Sequence, residues 1–212
     1  QASQEPSRHE SERPFLCVGR FIPEKNHSLL LTAYACYQMK GGSRPLWLVG
    51  HGPLIGEIRS TVAELPRPKS VSILPFTQLT ELVLNYYAQS HALILPSRKD
   101  TWGLVVNEAI ASGIPVLVSD ACGCVADLIE PGVSGWVFSA SDHLDLARCL
   151  VASDTQTVKS RQKMTQLARG HLALFSTKAF AQGLLDACNY AIMHPMQSWR
   201  SRLVALMLDL AS

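Results

Sequence analysis

Short apolar runs without alternation recur from Phe15 to Phe138, and most of them are followed at once by glycine or proline. Uninterrupted runs of four or five apolar residues are typical of strands buried on both faces of a parallel sheet. The pattern therefore predicts six buried strands. They are FLCV at 15–18, LWLV at 46–49, VSIL at 71–74, ALIL at 92–95, PVLVS at 115–119 and GWVF at 135–138.

Amphipathic stretches separate these strands. Three apolar stripes follow the i, i+3, i+4 or i+7 spacing of a helix. Strands that alternate with helices predict an α/β fold with a doubly wound parallel sheet, because right-handed crossovers place helices on both faces. The stripes are Leu30, Ala33, Tyr34 and Tyr37; Leu54, Ile58, Val62 and Leu65; and Leu82, Val83, Tyr86 and Tyr87.

After Phe138 the periodicity is helical, which predicts further helices at about 142–152, 155–170, 176–193 and 195–211. Residues 1–14 contain no aliphatic or aromatic side chain larger than Ala, so we expect a disordered linker where a longer protein was divided. The predicted organisation is a linker at 1–14, an α/β domain at 15–193 and a C-terminal helix at 194–212.

Composition narrows the class of protein. The 212 residues carry a net charge of only +2, which argues against nucleic acid as a partner. No C-x-x-C pair occurs and no apolar run is long enough to span a membrane, so zinc is not expected, nor is a membrane span. Four cysteines in apolar runs are expected to be small core residues in a reducing, cytoplasmic compartment: Cys17, Cys36, Cys149 and Cys188.

The candidate chemistry follows the strands, because ligands of an open parallel sheet bind beyond the carboxyl ends of its strands. Gly19, Arg20 and Lys25 follow the first strand and place two cations at a helix entrance. Gly50 and Gly52 follow the second strand, where they let backbone approach a ligand before Pro53 starts a helix.

A long polar segment follows the fourth strand and ends in a predicted helix that begins near Gly103. The first amides of such a helix can hold phosphate oxygens, and Arg20 and Lys25 can neutralise a leaving diphosphate. Glu108 offers two acceptor oxygens for the vicinal hydroxyls of a ribose, whereas Asp100 is expected farther out, near a donor sugar.

Together, these segments resemble the donor-binding domain of the retaining GT-B glycosyltransferases of family 4, the group 1 enzymes. The resemblance runs from about Phe15 to Leu150, and its most specific part is an acidic pair with seven residues between its members. The family usually has Glu where this chain has Asp100, so a shorter carboxylate must reach the donor sugar. The motifs are GRFIPEKNHSLLLTAY, VGHGPL, PSRKDTWGLVVNEAIASGIPVLVSD and DLIEPGVSGWVFSASD.

The resemblance implies a retaining transferase that uses a UDP- or GDP-sugar as donor and a saccharide or lipid-linked acceptor, with no cofactor and no metal. It implies that Arg20 and Lys25 hold the diphosphate and Glu108 the ribose, and that these residues and Asp100 form the catalytic set. Further donor contacts are expected from Gly19, Gly50, Gly52, the base-binding loop Leu74, Pro75 and Phe76, and the segment Thr101, Trp102, Gly103, Leu104 and Val105.

Four alternatives bear on this hypothesis. The glycine spacing at 50, 52 and 56 is a poor dinucleotide fingerprint, and the absence of Asp-x-Asp disfavours the metal-dependent transferase architecture. A nucleotide-sugar 2-epimerase of the same fold and a non-catalytic nucleotide-sugar-binding module both stay open.

The final predicted helix carries an apolar stripe that needs a partner. We expect it to pack on the acceptor-binding N-terminal domain of the full-length protein, which would leave this fragment inactive by itself. Packing on its own domain, or peripheral contact with the cytoplasmic face of a membrane, are the alternatives. The stripe consists of Trp199, Leu203, Leu206 and Leu210.

Overall fold

The computed structural model describes residues 12–76, 78 and 81–194. Its sheet has six strands, all parallel, in the order β3-β2-β1-β4-β5-β6. The positions of the six predicted strands are confirmed, although the last two begin one residue later than expected. The third strand and most of the sixth are half-buried, not buried as predicted. The strands are β1 Phe15–Val18, β2 Leu46–Val49, β3 Val71–Leu74, β4 Ala92–Leu95, β5 Val116–Ser119 and β6 Trp136–Phe138.

The strand order reverses direction between β1 and β4, which are neighbours in the sheet. The connections that leave these two strands diverge to opposite sides, so a crevice forms beyond their carboxyl ends. This position, the topological switch point, is where open α/β sheets bind ligands.

Helices connect the strands at the places the periodicity predicts, with three differences. Helix α2 begins at Ile55, two residues beyond Pro53; the third stripe, Leu82–Tyr87, is a π-helix; and α4 was not predicted. The α-helices are α1 His27–Met39, α2 Ile55–Ala63, α3 Leu104–Ser112, α4 Val125–Leu128, α5 His143–Asp154, α6 Val158–Ala173 and α7 Thr177–Met193.

Two apolar cores cover the two faces of the sheet, which confirms the doubly wound fold class. Alternate residues of each strand point to opposite faces, so Phe15 and Cys17 join one core while Leu16 and Val18 join the other. Helices α1 and α5 pack together on the first face, and α3 and the π-helix cover the second.

A buried polar cluster ties the amino-terminal edge of β2 to both helices of the first face. The Tyr37 hydroxyl donates to Asp154 Oδ2 at 2.5 Å, and Arg44 Nε donates to Asp154 Oδ1 at 2.9 Å. The Arg44 guanidinium also lies over the Phe15 ring. These contacts fix α1 against α5 and leave the carboxyl edge of the sheet for other chemistry.

The chain divides into two compact units between Leu172 and Ala173. This division falls inside the stretch 15–193 that the sequence assigns to one domain. Cys188 lies on α7 in the second unit and is exposed, so its predicted place in the core is wrong. In contrast, Cys17 and Cys149 are buried and Cys36 is half-buried.

The linker prediction lies almost wholly outside the described residues, and so does the predicted helix at 195–211. Within the described part of the chain, no helix combines the length and apolar character that a membrane span requires.

Candidate active site at the carboxyl edge of the sheet

The loops after β1 and β2 pack directly on each other, and two glycines allow this contact. Phe21 N donates to the His51 carbonyl at 2.8 Å, and Gly19 N donates to the Val49 carbonyl at 3.0 Å. A Cβ atom on Gly50 would collide with the Gly19 carbonyl oxygen, and one on Gly52 would lie 2.5 Å from the Phe21 carbonyl oxygen. The backbone that comes close to Gly50 and Gly52 is therefore that of the loop after β1.

Lys25 and Asp100 meet across the switch point. Lys25 ends a short 3-10 helix after β1, and its Nζ lies 2.5 Å from Asp100 Oδ2 in the loop after β4. The aliphatic part of the Lys25 side chain lies over Gly19, close to where a Cβ atom would stand. The structure thus brings together Gly19, Lys25 and Asp100, which the sequence assigns to the donor site. The charges of Lys25 and Asp100 are paired.

The loop after β5 holds Asp100 and Trp102 in place. Gly123 N donates to the Asp100 carbonyl at 3.0 Å and Cys124 N to the Trp102 carbonyl at 3.1 Å. A Cβ atom on Gly123 would collide with the Thr101 carbonyl oxygen, so the two loops touch backbone to backbone. Cys122 and Cys124, which flank Gly123 in this loop, are buried.

Helix α3 begins directly beside this segment. Gly103 stands at its N-cap with φ 95°, a left-handed conformation that favours glycine, and a Cβ atom there would lie 2.7 Å from Leu95. Gly103 has no side chain with which to cap this helix, and Val106 N donates to the Gly103 carbonyl at 2.8 Å. The amides of Leu104 and Val105 are therefore the ones that can face a ligand, and Leu104 at the first position is exposed. Trp102 Nε1 donates to Asn107 Oδ1 at 2.9 Å, which fastens the preceding loop to the helix.

Glu108 is half-buried on α3 and has one buried partner. Tyr87, at the end of the π-helix, donates its hydroxyl to Glu108 Oε2 at 2.8 Å. Burial first, and the nearby Glu108 carboxylate second, raise the pKa of Tyr87 well above its usual value. The tyrosine is therefore protonated, and its hydroxyl acts as a donor throughout the physiological range.

A cavity of about 550 Å³ opens beside the second loop. Its lining includes the predicted base-binding residues Leu74, Pro75 and Phe76, together with Gly50 and Gly52. Phe76 is 53% exposed, and an accessible aromatic ring can stack on a planar ligand. Arg59 of α2 lines the same cavity and was not predicted from the sequence.

The remaining predicted site residues lie nearby on the same edge. Arg20 and Thr101 are exposed, whereas Trp102 and Val105 are half-buried. Sequence reasoning missed Tyr87 and Gly123, although both hold predicted site residues in place. Tyr87 belongs to an apolar stripe that resembles any core-facing helix, and Gly123 has no local signal apart from being a glycine between two cysteines.

This edge has the groups to bind an anion and a planar ring. The cations Arg20 and Lys25 and the uncapped start of α3 suit phosphate oxygens. Burial raises the pKa of Cys124 to about 12, so its thiol is protonated and a poor nucleophile. Across the described ranges, no group of three metal-ligating side chains comes together.

A doubly wound sheet with this crevice defines a Rossmann-like α/β domain of the nucleotide-binding class. The family model "Glycosyl transferases group 1" matches residues 1–171, and the chain belongs to that family. It is similar to D-inositol 3-phosphate glycosyltransferase of Nocardia farcinica, with 30% identity over 182 residues. That match covers 82% of this chain and 40% of the relative, so the chain spans well under half of the relative's length.

Solved structures share the fold. A variant of TarM from S. aureus, in complex with fondaparinux, alpha-GlcNAc-glycerol and UDP, has a TM-score of 0.74 at 18% identity over 88% of this chain and 37% of that one. The C-terminal domain of a group 1 glycosyl transferase, LpcC of Francisella tularensis, has a TM-score of 0.66 at 18% identity. It is matched over 76% of this chain and 86% of that domain.

Proposed function

We propose that this chain is the donor-binding domain of a retaining GT-B glycosyltransferase of family 4, which transfers a sugar from a UDP- or GDP-sugar to a saccharide or lipid-linked acceptor. The observation that carries the proposal is the arrangement at the switch point. There, Lys25 and the uncapped start of α3 lie on the same edge of the sheet as a cavity lined by the predicted base-binding loop.

The diphosphate is held by side-chain cations and backbone amides in this proposal, without a metal ion. Arg20 is exposed and ready to accept a ligand, whereas Lys25 must exchange its partner Asp100 for a phosphate oxygen. The diphosphate gains negative charge as the glycosidic bond breaks, so cations placed here stabilise the transition state more than the bound donor.

The rest of the donor follows from this placement. The base occupies the cavity at Leu74, Pro75 and Phe76, and the ribose hydroxyls bind Glu108. The exchange at Lys25 releases the Asp100 carboxylate, which then accepts hydrogen bonds from the donor sugar. Donor binding and reorganisation of the Lys25–Asp100 pair are therefore one event.

The acceptor site belongs to an N-terminal domain of the full-length protein. Two comparisons support this placement: the chain spans 40% of the length of the Nocardia relative, and it matches 86% of a solved C-terminal domain. We propose that the 212 residues bind donor but are inactive alone. We also propose that the apolar stripe predicted at Trp199 and Leu203 packs on the N-terminal domain. The full-length protein is proposed to lie in the cytoplasm or at the cytoplasmic face of a membrane.

The test uses the full-length protein with UDP-glucose, UDP-GlcNAc and GDP-mannose in EDTA, with products followed by proton NMR. We expect slow donor hydrolysis in which the nucleoside diphosphate and the sugar appear together, with the α anomer formed first from an α-linked donor. Appearance of the β anomer first would contradict retention, and activity only with added Mn²⁺ would contradict the metal-free mechanism. A 2-epimeric sugar product would instead identify an epimerase.

A further inference from the structure

The hydrogen bond between Tyr87 and Glu108 leaves the two carboxylate oxygens of Glu108 unequal. Tyr87 is fully buried, and its hydroxyl donates to Oε2 at 2.8 Å. Glu108 itself is half-buried on the helix whose first turn lies at the carboxyl edge. One oxygen therefore receives a donor from inside the protein. No hydrogen bond from the described part of the chain reaches the other, Oε1, which is left for a ligand.

A glutamate side chain has three rotatable bonds, and an exposed one samples several conformations. A donor fixed in the core removes that freedom before a ligand arrives, so less entropy is lost when the ligand binds. Tyr87 suits this purpose because a phenol hydroxyl on a rigid, packed ring cannot follow the carboxylate if it turns away. Its raised pKa keeps the proton on the phenol oxygen.

We propose that Tyr87 is a positioning residue for the nucleotide's ribose, an inference that rests on the proposed donor-binding function. Tyr87 occupies Oε2 of Glu108 and so directs Oε1 toward the ribose hydroxyls. The site then distinguishes a ribonucleotide from its 2′-deoxy form through a carboxylate that is held in advance.

The experiment measures ribose discrimination by this chain with isothermal titration calorimetry in EDTA. UDP and GDP are titrated first, and the tighter of the two is compared with dUDP or dGDP. We expect the deoxy form to bind at least about 10-fold more weakly to the wild-type chain, because it leaves part of the Glu108 hydrogen-bonding capacity unused. In Tyr87→Phe, the ratio of the two dissociation constants should fall by roughly 3- to 10-fold.

The neighbouring tyrosine supplies a matched control. Tyr86 is half-buried and packs edge-on against Trp47, so Tyr86→Phe should leave the ratio unchanged. If Tyr87 acts through Glu108, Tyr87→Phe should lower the ratio no further in a Glu108→Ala background. A purely structural tyrosine would lower the melting temperature in both backgrounds and leave the ratio as it was.

The two ideas fail in different ways. A wild-type chain that binds a nucleotide and its 2′-deoxy form equally would overturn the ribose role of Glu108, and the role of Tyr87 with it. A wild-type chain that discriminates, beside a Tyr87→Phe variant with the same ratio, would overturn only the positioning role.

Discussion

Replacing Gly50 by alanine should destabilise the fold and disturb the predicted diphosphate loop in one step. Gly50 lies where the loop after β2 touches the loop after β1, and an added Cβ atom would meet the Gly19 carbonyl oxygen. Backbone on both sides is held by the sheet, so neither partner can turn away as a flexible side chain would. The loop that carries Arg20 and Lys25 must shift.

The magnitude follows from the contacts that the shift would break. Forcing one extra methyl group into a packed site costs about 1–3 kcal/mol. The shift also strains the hydrogen bonds Gly19 N to Val49 O and Phe21 N to His51 O, each of which contributes about 0.5–1.5 kcal/mol. We expect a loss of roughly 2–4 kcal/mol in the free energy of unfolding, or a fall of about 4–16 °C in melting temperature for a chain of this size.

Gly170→Ala makes the same chemical change where nothing opposes it. Gly170 is exposed within α6 and has nothing within 4 Å of an added Cβ atom, so alanine should stabilise the helix by about 0.5–1 kcal/mol. Urea unfolding followed by circular dichroism measures both variants. A Gly50→Ala variant within about 0.5 kcal/mol of wild type would refute the close approach of the two loops.

Three further predictions follow from individual side chains. In the full-length protein, Lys25→Met or Arg20→Met should reduce kcat and kcat/KM together, by about 10- to 100-fold, because the proposed mechanism has these charges act on the leaving group. Lys99→Met is the exposed control, and an effect on KM alone would make Lys25 and Arg20 simple binding residues. Burial, with Lys25 nearby, lowers the pKa of His27 from 6.5 to about 4, so the unfolded chain binds the extra proton and stability should fall as the pH drops from 6.5 to 4, by up to about 3 kcal/mol. His27→Leu should remove that part of the pH dependence, and equal acid sensitivity in both proteins would argue against a buried neutral imidazole. Arg44→Met should cost about 2–4 kcal/mol because it removes the buried cation that pairs with Asp154, whereas Arg148→Met, in an exposed pair, should change stability by less than about 0.5 kcal/mol.

The strand positions could be predicted from the sequence because each strand is short, apolar and bounded by a turn residue. LWLV and ALIL are buried along their whole length, as uninterrupted runs indicate. The π-helix at Leu82–Tyr87 could not be predicted, because its stripe fits an ordinary helix equally well. Helix α4 is a single turn and too short to show periodicity.

The candidate site divides in a similar way. The proximity of residues that follow strands, such as Lys25 and Asp100, could be predicted because the topology brings the carboxyl ends of parallel strands to one edge. Their direct pairing was not predicted, since it depends on side-chain reach across 75 positions. The contact of Gly50 with the loop after β1 was also not predicted, because a glycine in the sequence does not say which backbone comes close. Tyr87 was hidden because a core aromatic and a hydrogen-bond donor to Glu108 have the same sequence signature.

Binding of nucleoside diphosphate by this chain tests the central claim most directly. Isothermal titration calorimetry with UDP and GDP in EDTA should show binding of at least one of them, and Glu108→Ala should weaken it by about 1–3 kcal/mol, or roughly 5- to 150-fold in Kd. Glu64→Ala, at the exposed end of α2, should bind as wild type. Failure of the folded chain to bind either nucleotide, or an unchanged Kd in Glu108→Ala, would contradict a donor site at this edge of the sheet.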